Sequence, residues 1–175
     1  MEDRYTDGVK NAWKFAAQEA AKLGSDYIGT EHLLIGIAHE GDSAGGKILN
    51  SLGITVGTLE ELLSGSRNTS LSRRSELYVA PRTKRVLEMA VEEANELGNS
   101  YVGTEHLLLA MLRETDCVGT RLLYTMGVNI QKLYSTVLSA AEIDSNSTLE
   151  ELQMQKKQKE NKNSTTPTLD QYSRD

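Results

Sequence analysis

Between residues 12 and 23 the positions Ala12, Phe15, Ala16, Glu19, Ala20 and Leu23 fall three or four apart, the spacing of one face of an α-helix. Thr6 stands where an N-cap belongs and Gly24 where such a helix stops. A second helix is predicted from Thr30, carrying Leu33, Leu34 and Ile37. After a short polar turn a third holds Ile48, Leu49 and Leu52 and ends at Gly53. A fourth is expected from Thr58, where Thr-Leu-Glu-Glu reads as a capping box with Glu61 reaching back.

The pattern is then written again. YIGTEHLL at 27–34 returns as YVGTEHLL at 101–108, and the ungapped match of 5–54 with 79–128 is identical at 18 of 50 positions, an internal duplication. The second copy starts its first helix with Pro81 and keeps Val86, Leu87, Ala90, Ala94 and Leu97 on one face. Its second helix is expected from Thr104 with Leu107, Leu108, Met111 and Leu112, and its third holds Leu122, Leu123 and Met126 before Gly127. Its fourth is expected over roughly 129–143. Strand signals are weak. The expected fold is all-α: two four-helix repeats related by a pseudo-two-fold axis, each burying its apolar face against the other. The first repeat is placed at 4–64, a polar linker at 65–78, the second repeat at 79–144 and a tail at 145–175. In the tail, Thr148-Leu149-Glu150-Glu151 suggests a short solvated helix near 149–160, followed by a flexible KNSTTPT segment.

Composition narrows the function. With 38% hydrophobic and 25% charged residues the chain reads as a soluble globular protein without a membrane span, and its polar N-terminus is not a signal peptide. A net charge of −6 lacks the basic face that nucleic-acid binding needs. The single cysteine, Cys117, suits a reducing compartment. No nucleophile elbow or Gly-rich phosphate loop is present, so neither a catalytic residue nor ATP hydrolysis is expected of this chain.

The chemistry concentrates in the doubled Gly-Thr-Glu-His. Glu31 and Glu105 would open their helices just after Thr30 and Thr104 as N-caps. An acid there interacts favourably with the helix dipole and needs no ligand. It also places a carboxylate beside backbone N–H donors, which suits a ligand bearing a guanidinium and an anionic group together. Both readings stand on position alone; retention of the whole phrase in both copies favours a site. His32 and His106 point about 100° away from the preceding acids, as adjacent helical residues do, so capping or packing is expected and a metal is not assigned. Cys117 is either a reactive thiol beside Asp116 or a small buried hydrophobe, and His39 is a surface residue. Of Trp13 and Phe15, on different sides of the first helix, one is expected in the core and the other exposed to a partner.

The twin GTEHLL phrases, with each copy ending in Leu-x-x-(Leu/Met)-Gly-(Ile/Val), resemble the N-terminal repeat domain of Clp/Hsp100 AAA+ unfoldases, most closely the ClpC type, over residues 4–144. The tail TPTLDQYSRD is similar to the family's linker where it enters the first ATPase module. The resemblance implies a non-enzymatic front end of a longer cytoplasmic ATPase, whose ATP and Mg are bound outside this chain. In that family a hexameric ring feeds the ClpP peptidase, and the domain receives substrates and adaptors of the MecA type. It also implies recognition of phosphoarginine, with Glu31 and Glu105 accepting the guanidinium and Thr6, Thr30 and Thr104 as weaker ligand contacts. The helix starts depart from the family, with Gly8 in place of a usual Arg and Ala80 in place of a usual Thr, so the two sites need not be equal. The family's Glu-Gly-Glu-Gly turn is Glu-Gly-Asp-Ser in one copy and Glu-Thr-Asp-Cys in the other.

Overall fold

A computed structural model describes residues 4–64 and 77–142, and the compact unit built from them falls within Met1–Ala141. Most of the expected linker, the capping box at Thr148 with its helix near 149–160, and KNSTTPT lie outside the described residues. In chain order the elements are α1 (Asp7–Lys22), β1 (Tyr27–Ile28), α2 (Thr30–His39), α3 (Ala44–Ser51), α4 (Val56–Ser64), β2 (Tyr78–Val79), α5 (Pro81–Glu96), α6 (Thr104–Arg113) and α7 (Val118–Thr125). An eighth helix, α8, occupies 130–142 among the described residues.

Local chemistry sets most boundaries. The Thr6 hydroxyl accepts the Val9 N–H at 3.3 Å and starts α1, and Pro81 occupies the first turn of α5, where an N–H has no partner to lose. Gly24, Gly53, Gly98 and Gly127 close their helices with φ between 74° and 83°, a left-handed turn that a side chain resists. Asn129 caps α8 by accepting the Lys132 N–H at 3.1 Å. Three expected starts move. α4 begins at Val56, two residues before Thr58: Thr55 and Thr58 cap each other's backbone N–H groups at 2.9 and 3.3 Å, so Thr58 takes the role expected of Glu61. α2 and α6 begin at the threonines themselves, with Gly29 and Gly103 as N-caps.

α2 and α6 form the centre. Leu33, Leu34, Ile35 and Ile37 on one, and Leu107, Leu108, Leu109 and Met111 on the other, are fully buried, which makes these helices apolar on more faces than a surface helix allows. Within each repeat the first helix packs on the second, and the third reaches across as well: α3 lies on α6 in addition to α2, and α7 lies on α2 more than on α6. The backbone crosses over as well. β1 and β2 pair in parallel with Tyr27 opposite Tyr78 and Ile28 opposite Val79, and the two-fold equivalent is the bridge between Tyr5 and Val102. Two-residue strands are too short to show the alternation that marks a strand in sequence. Leu52, expected in the third helix, caps it instead and is 54% exposed. Neither Trp13 nor Phe15 is exposed; both pack partly buried against the core, and the Phe15 ring stacks on His39 at 3.8 Å.

The symmetry breaks at one buried pair. Glu19 and Glu93 are equivalent and both buried, but Glu93 is held by Arg113, whereas the residue at Arg113's place in the first repeat is His39. Glu19 faces Glu60 and Lys22 instead, with Lys22 Nζ 3.0 Å from Glu60 and 3.9 Å from Glu19, and its Oε1 has no hydrogen-bond partner. Burial, reinforced by the Glu60 carboxylate, pushes the Glu19 carboxyl up to about 7. A carboxyl raised above its unfolded value contributes stability at pH below about 4.5 that is lost as pH rises through 7. Glu19→Gln is therefore expected to gain on the parent protein between pH 5 and pH 8 in urea denaturation. A gap that stays constant with pH rejects the assignment.

Candidate functional site

Each Gly-Thr-Glu-His segment is a helix start in which every residue has a separate task. Gly29 and Gly103 are the N-caps, and a Cβ on either would stand 2.0 Å from the carboxylate oxygen of Glu31 or Glu105. The glycine is thus the space into which the acid folds back over its own helix start. Glu31 is 7% exposed, its carboxylate accepts its own backbone N–H, and the Tyr27 hydroxyl donates to it at 3.4 Å. Burial raises the Glu31 carboxyl while those two donors pull it down, leaving a net rise. The Glu31 charge in turn raises the Tyr27 phenol, which keeps it the donor. Glu105 is more accessible, only partly buried, and its Tyr101 neighbour is 63% exposed.

The histidines close the helix starts. Nδ1 of His32 accepts the Gly29 N–H and Nδ1 of His106 accepts the Gly103 N–H, each at 2.9 Å, the role usually taken by Glu or Gln three residues after an N-cap. Burial lowers His32 to about 4, so the ring is neutral and its Nδ1 free to accept. For His106 the same acceptor role puts the ring proton on Nε2, which requires the Asn99 amide, 2.7 Å away, to present its oxygen there. Neither ring has its Nδ1 available for a metal. Among the described residues no group of three His, Cys, Asp or Glu side chains is arranged to hold one. Cys117 is buried as the N-cap of α7, its Sγ 3.6 Å from the Met111 carbonyl and 3.2 Å from the Thr120 hydroxyl, which is the small-hydrophobe role.

Thr30 and Thr104 face the other repeat. The Thr30 hydroxyl accepts the Gly119 N–H at the start of α7, and the Thr104 hydroxyl accepts the Gly45 N–H at the start of α3, both at 3.0 Å. These bonds join residues 89 and 59 positions apart, and they are images of each other. The same crossover delivers the walls of the sites. Ala80 N–H donates to Ile28 C=O at 3.2 Å, bringing the α5 start beside Glu31; Thr6 N–H donates to Val102 C=O at 3.0 Å, bringing the α1 start beside Glu105. Gly8 accordingly lies against Thr104, with space for a Cβ 3.7 Å from its methyl. Each first helix therefore starts against the strand residue that leads into the acid of the opposite repeat. Linear reading could not reveal this exchange, because a repeat unit carries no mark of which copy its neighbours come from.

This arrangement is that of a known domain. The family model for the Clp repeat (R) N-terminal domain matches residues 4–126 and 82–173, and the chain belongs to that family. It is 35% identical over its full length to the chaperone protein ClpB of Oceanobacillus iheyensis, and 35% identical over its full length to the negative regulator of genetic competence ClpC/MecB of Bacillus subtilis. It spans about a fifth of the length of these relatives, 21% of each. Among solved structures it superposes on the N-terminal domain of the caseinolytic protease associated chaperone ClpD from Arabidopsis thaliana with a TM-score of 0.62 and 26% identity, over 78% of this chain and 94% of that one. No described helix is long and apolar enough to cross a membrane.

Proposed function

We propose that this domain recognises substrates and adaptors for a ClpC-type ATPase and that Glu31 and Glu105 each accept the guanidinium of a phosphoarginine side chain. The observation that carries the reading is the glycine-made recess, present twice, in which a carboxylate lies against backbone N–H donors beside a second helix start from the opposite repeat. A guanidinium takes the carboxylate in charge-assisted bonds, and the phosphoryl group meets the helix-start donors. Thr6 is the candidate hydroxyl at the α1 start, and Thr30 and Thr104, buried with their oxygens on Gly119 and Gly45, are weaker candidates, since a threonine oxygen that accepts one N–H still has its own proton to give. The ATP-driven ring, the ClpP peptidase and adaptors of the MecA type belong to the same proposal, as properties of the whole protein in cytoplasm.

Calorimetric titration of the full chain with free phosphoarginine tests it. Binding is expected, with each Glu→Ala substitution weakening its own site by roughly ten- to a hundredfold, the range for a lost bond to a charged partner. Lysine at either position should weaken it further, because it repels the guanidinium as well as removing the acceptor. The deep burial of Glu31 favours a second reading, an adaptor-docking domain whose acids serve only their helix starts. On that reading phosphoarginine does not bind, and each alanine lowers stability by about 0.3–1 kcal/mol while adaptor binding survives.

A further inference from the structure

The two acids are equivalent, but the residues beside them are not. In the first repeat the register of β1 with β2 sets Tyr27 next to Tyr78, their rings 5.9 Å apart and inclined at 42°, with the Tyr27 hydroxyl on Glu31. Tyr78 is 48% exposed, so this pair presents ring surface to solvent at the edge of the buried carboxylate. Aromatic rings beside an acid attract a planar cation through both ring face and charge. At the two-fold-related position, Tyr78 is replaced by Arg4, whose guanidinium bonds to Asn95 Oδ1 at 2.6 Å and to the Ser100 carbonyl at 3.4 Å, next to Tyr101. The strand position that carries a ring beside the first acid thus carries a cation beside the second. The facing helix starts differ in the same sense. Ala80 offers no side-chain donor and Pro81 no N–H, whereas Thr6, Asp7 and Gly8 keep a hydroxyl and their N–H groups. Arg82, the counterpart of Gly8, is drawn onto Glu114 at 3.3 Å, a carboxylate that also holds Arg85 at 2.8 Å.

From this asymmetry we propose that the Tyr27–Tyr78 pair makes the Glu31 site a receptor for the guanidinium group itself, accepting an arginine side chain with or without a phosphoryl group. The Glu105 site, with Arg4 in place of the ring, accepts only the phosphorylated form. Arg4 repels a bare guanidinium and attracts the phosphoryl group that accompanies a phosphorylated one. The proposal rests on the reading that Glu31 and Glu105 are guanidinium acceptors. It adds that the domain can hold an unmarked arginine of a protein partner on one side of its pseudo-two-fold axis while holding a marked one on the other.

The test titrates the full chain with Nα-acetylarginine amide and, separately, with phosphoarginine. The amide is expected to bind at one site, to be lost in Glu31→Ala, to weaken about tenfold in Tyr78→Ala, and to persist in Glu105→Ala. Tyr78→Arg, at a half-exposed position that tolerates a long polar side chain, should abolish amide binding while phosphoarginine still binds. Phosphoarginine binding without any amide binding overturns this inference and leaves the proposed function standing. So does amide binding that Tyr78→Arg leaves unchanged. Failure of both ligands overturns the proposed function and this inference with it.

Discussion

Gly36→Ala should destabilise the domain by about 3 kcal/mol, the upper end for forcing one carbon into a packed interior. A Cβ on Gly36 would stand 2.1 Å from the backbone oxygen of Ala12 and 2.9 Å from its carbonyl carbon, so α1 and α2 touch main chain to main chain. Backbone cannot swing aside as a side-chain end can, so the helices must separate and loosen the contacts of Leu33, Leu34 and Ile37 behind them. The second repeat supplies the control. Its counterparts are Ala110 and Val86, a crossing already built with a Cβ at that position, so Ala110→Gly should cost only about 1 kcal/mol in helix propensity. Urea midpoints of the two variants measure the difference. Equal losses would mean that the first crossing is no closer than the second.

Acid should weaken the fold through His32. The unfolded imidazole takes a proton near 6.5, but the buried ring does not until about 4. Stability from this group is intact above pH 6.5 and falls as pH drops through that interval, by on the order of 3 kcal/mol at pH 4. Two effects add in the protonated state: a buried cation, and an Nδ1 that can no longer accept the Gly29 N–H. His32→Gln retains an acceptor at that place without a titrating group, so its stability should be flatter between pH 6.5 and 4. Chemical denaturation across that range compares the two. The raised carboxyls of Glu19 and Glu31 work in the opposite direction and the lowered carboxyls of Glu60 and Glu114 in the same one, so the difference between the parent and His32→Gln, not the parent's profile alone, isolates the ring.

Much of this fold was legible in one dimension because helices announce themselves by period, and a duplicated chain announces them twice. The first helices, their Thr6 and Pro81 starts and the closing glycines Gly24, Gly53 and Gly127 follow from residues within one turn of one another. The misreadings are also local. A threonine has a hydroxyl to accept a helix-start N–H and glycine has none, so Thr30 and Thr104 looked like caps, yet a side chain at the preceding position would collide with the folded-back carboxylate and leaves only glycine there. Thr55 and Thr58 stand three apart, and a cap signal at one is equally a partner signal at the other. In the candidate site, the acids and histidines were visible in the repeated phrase. Tyr78 beside the first acid's Tyr27, and Arg4 at its two-fold counterpart, were not, because they arrive from about 50 to 100 residues away, and which helix start serves which acid was hidden for the same reason.

The reciprocal bonds of Thr30 with Gly119 and Thr104 with Gly45, and the matching backbone crossovers, have the form of an isologous contact: each surface gives what it receives. Two separate copies of an ancestral half-length chain could satisfy every one of them as a homodimer, with the surroundings of both acids completed only on assembly. Joining the halves in one polypeptide removes the concentration dependence of that assembly and frees the copies to diverge, which is how one position can hold Tyr78 and its counterpart Arg4.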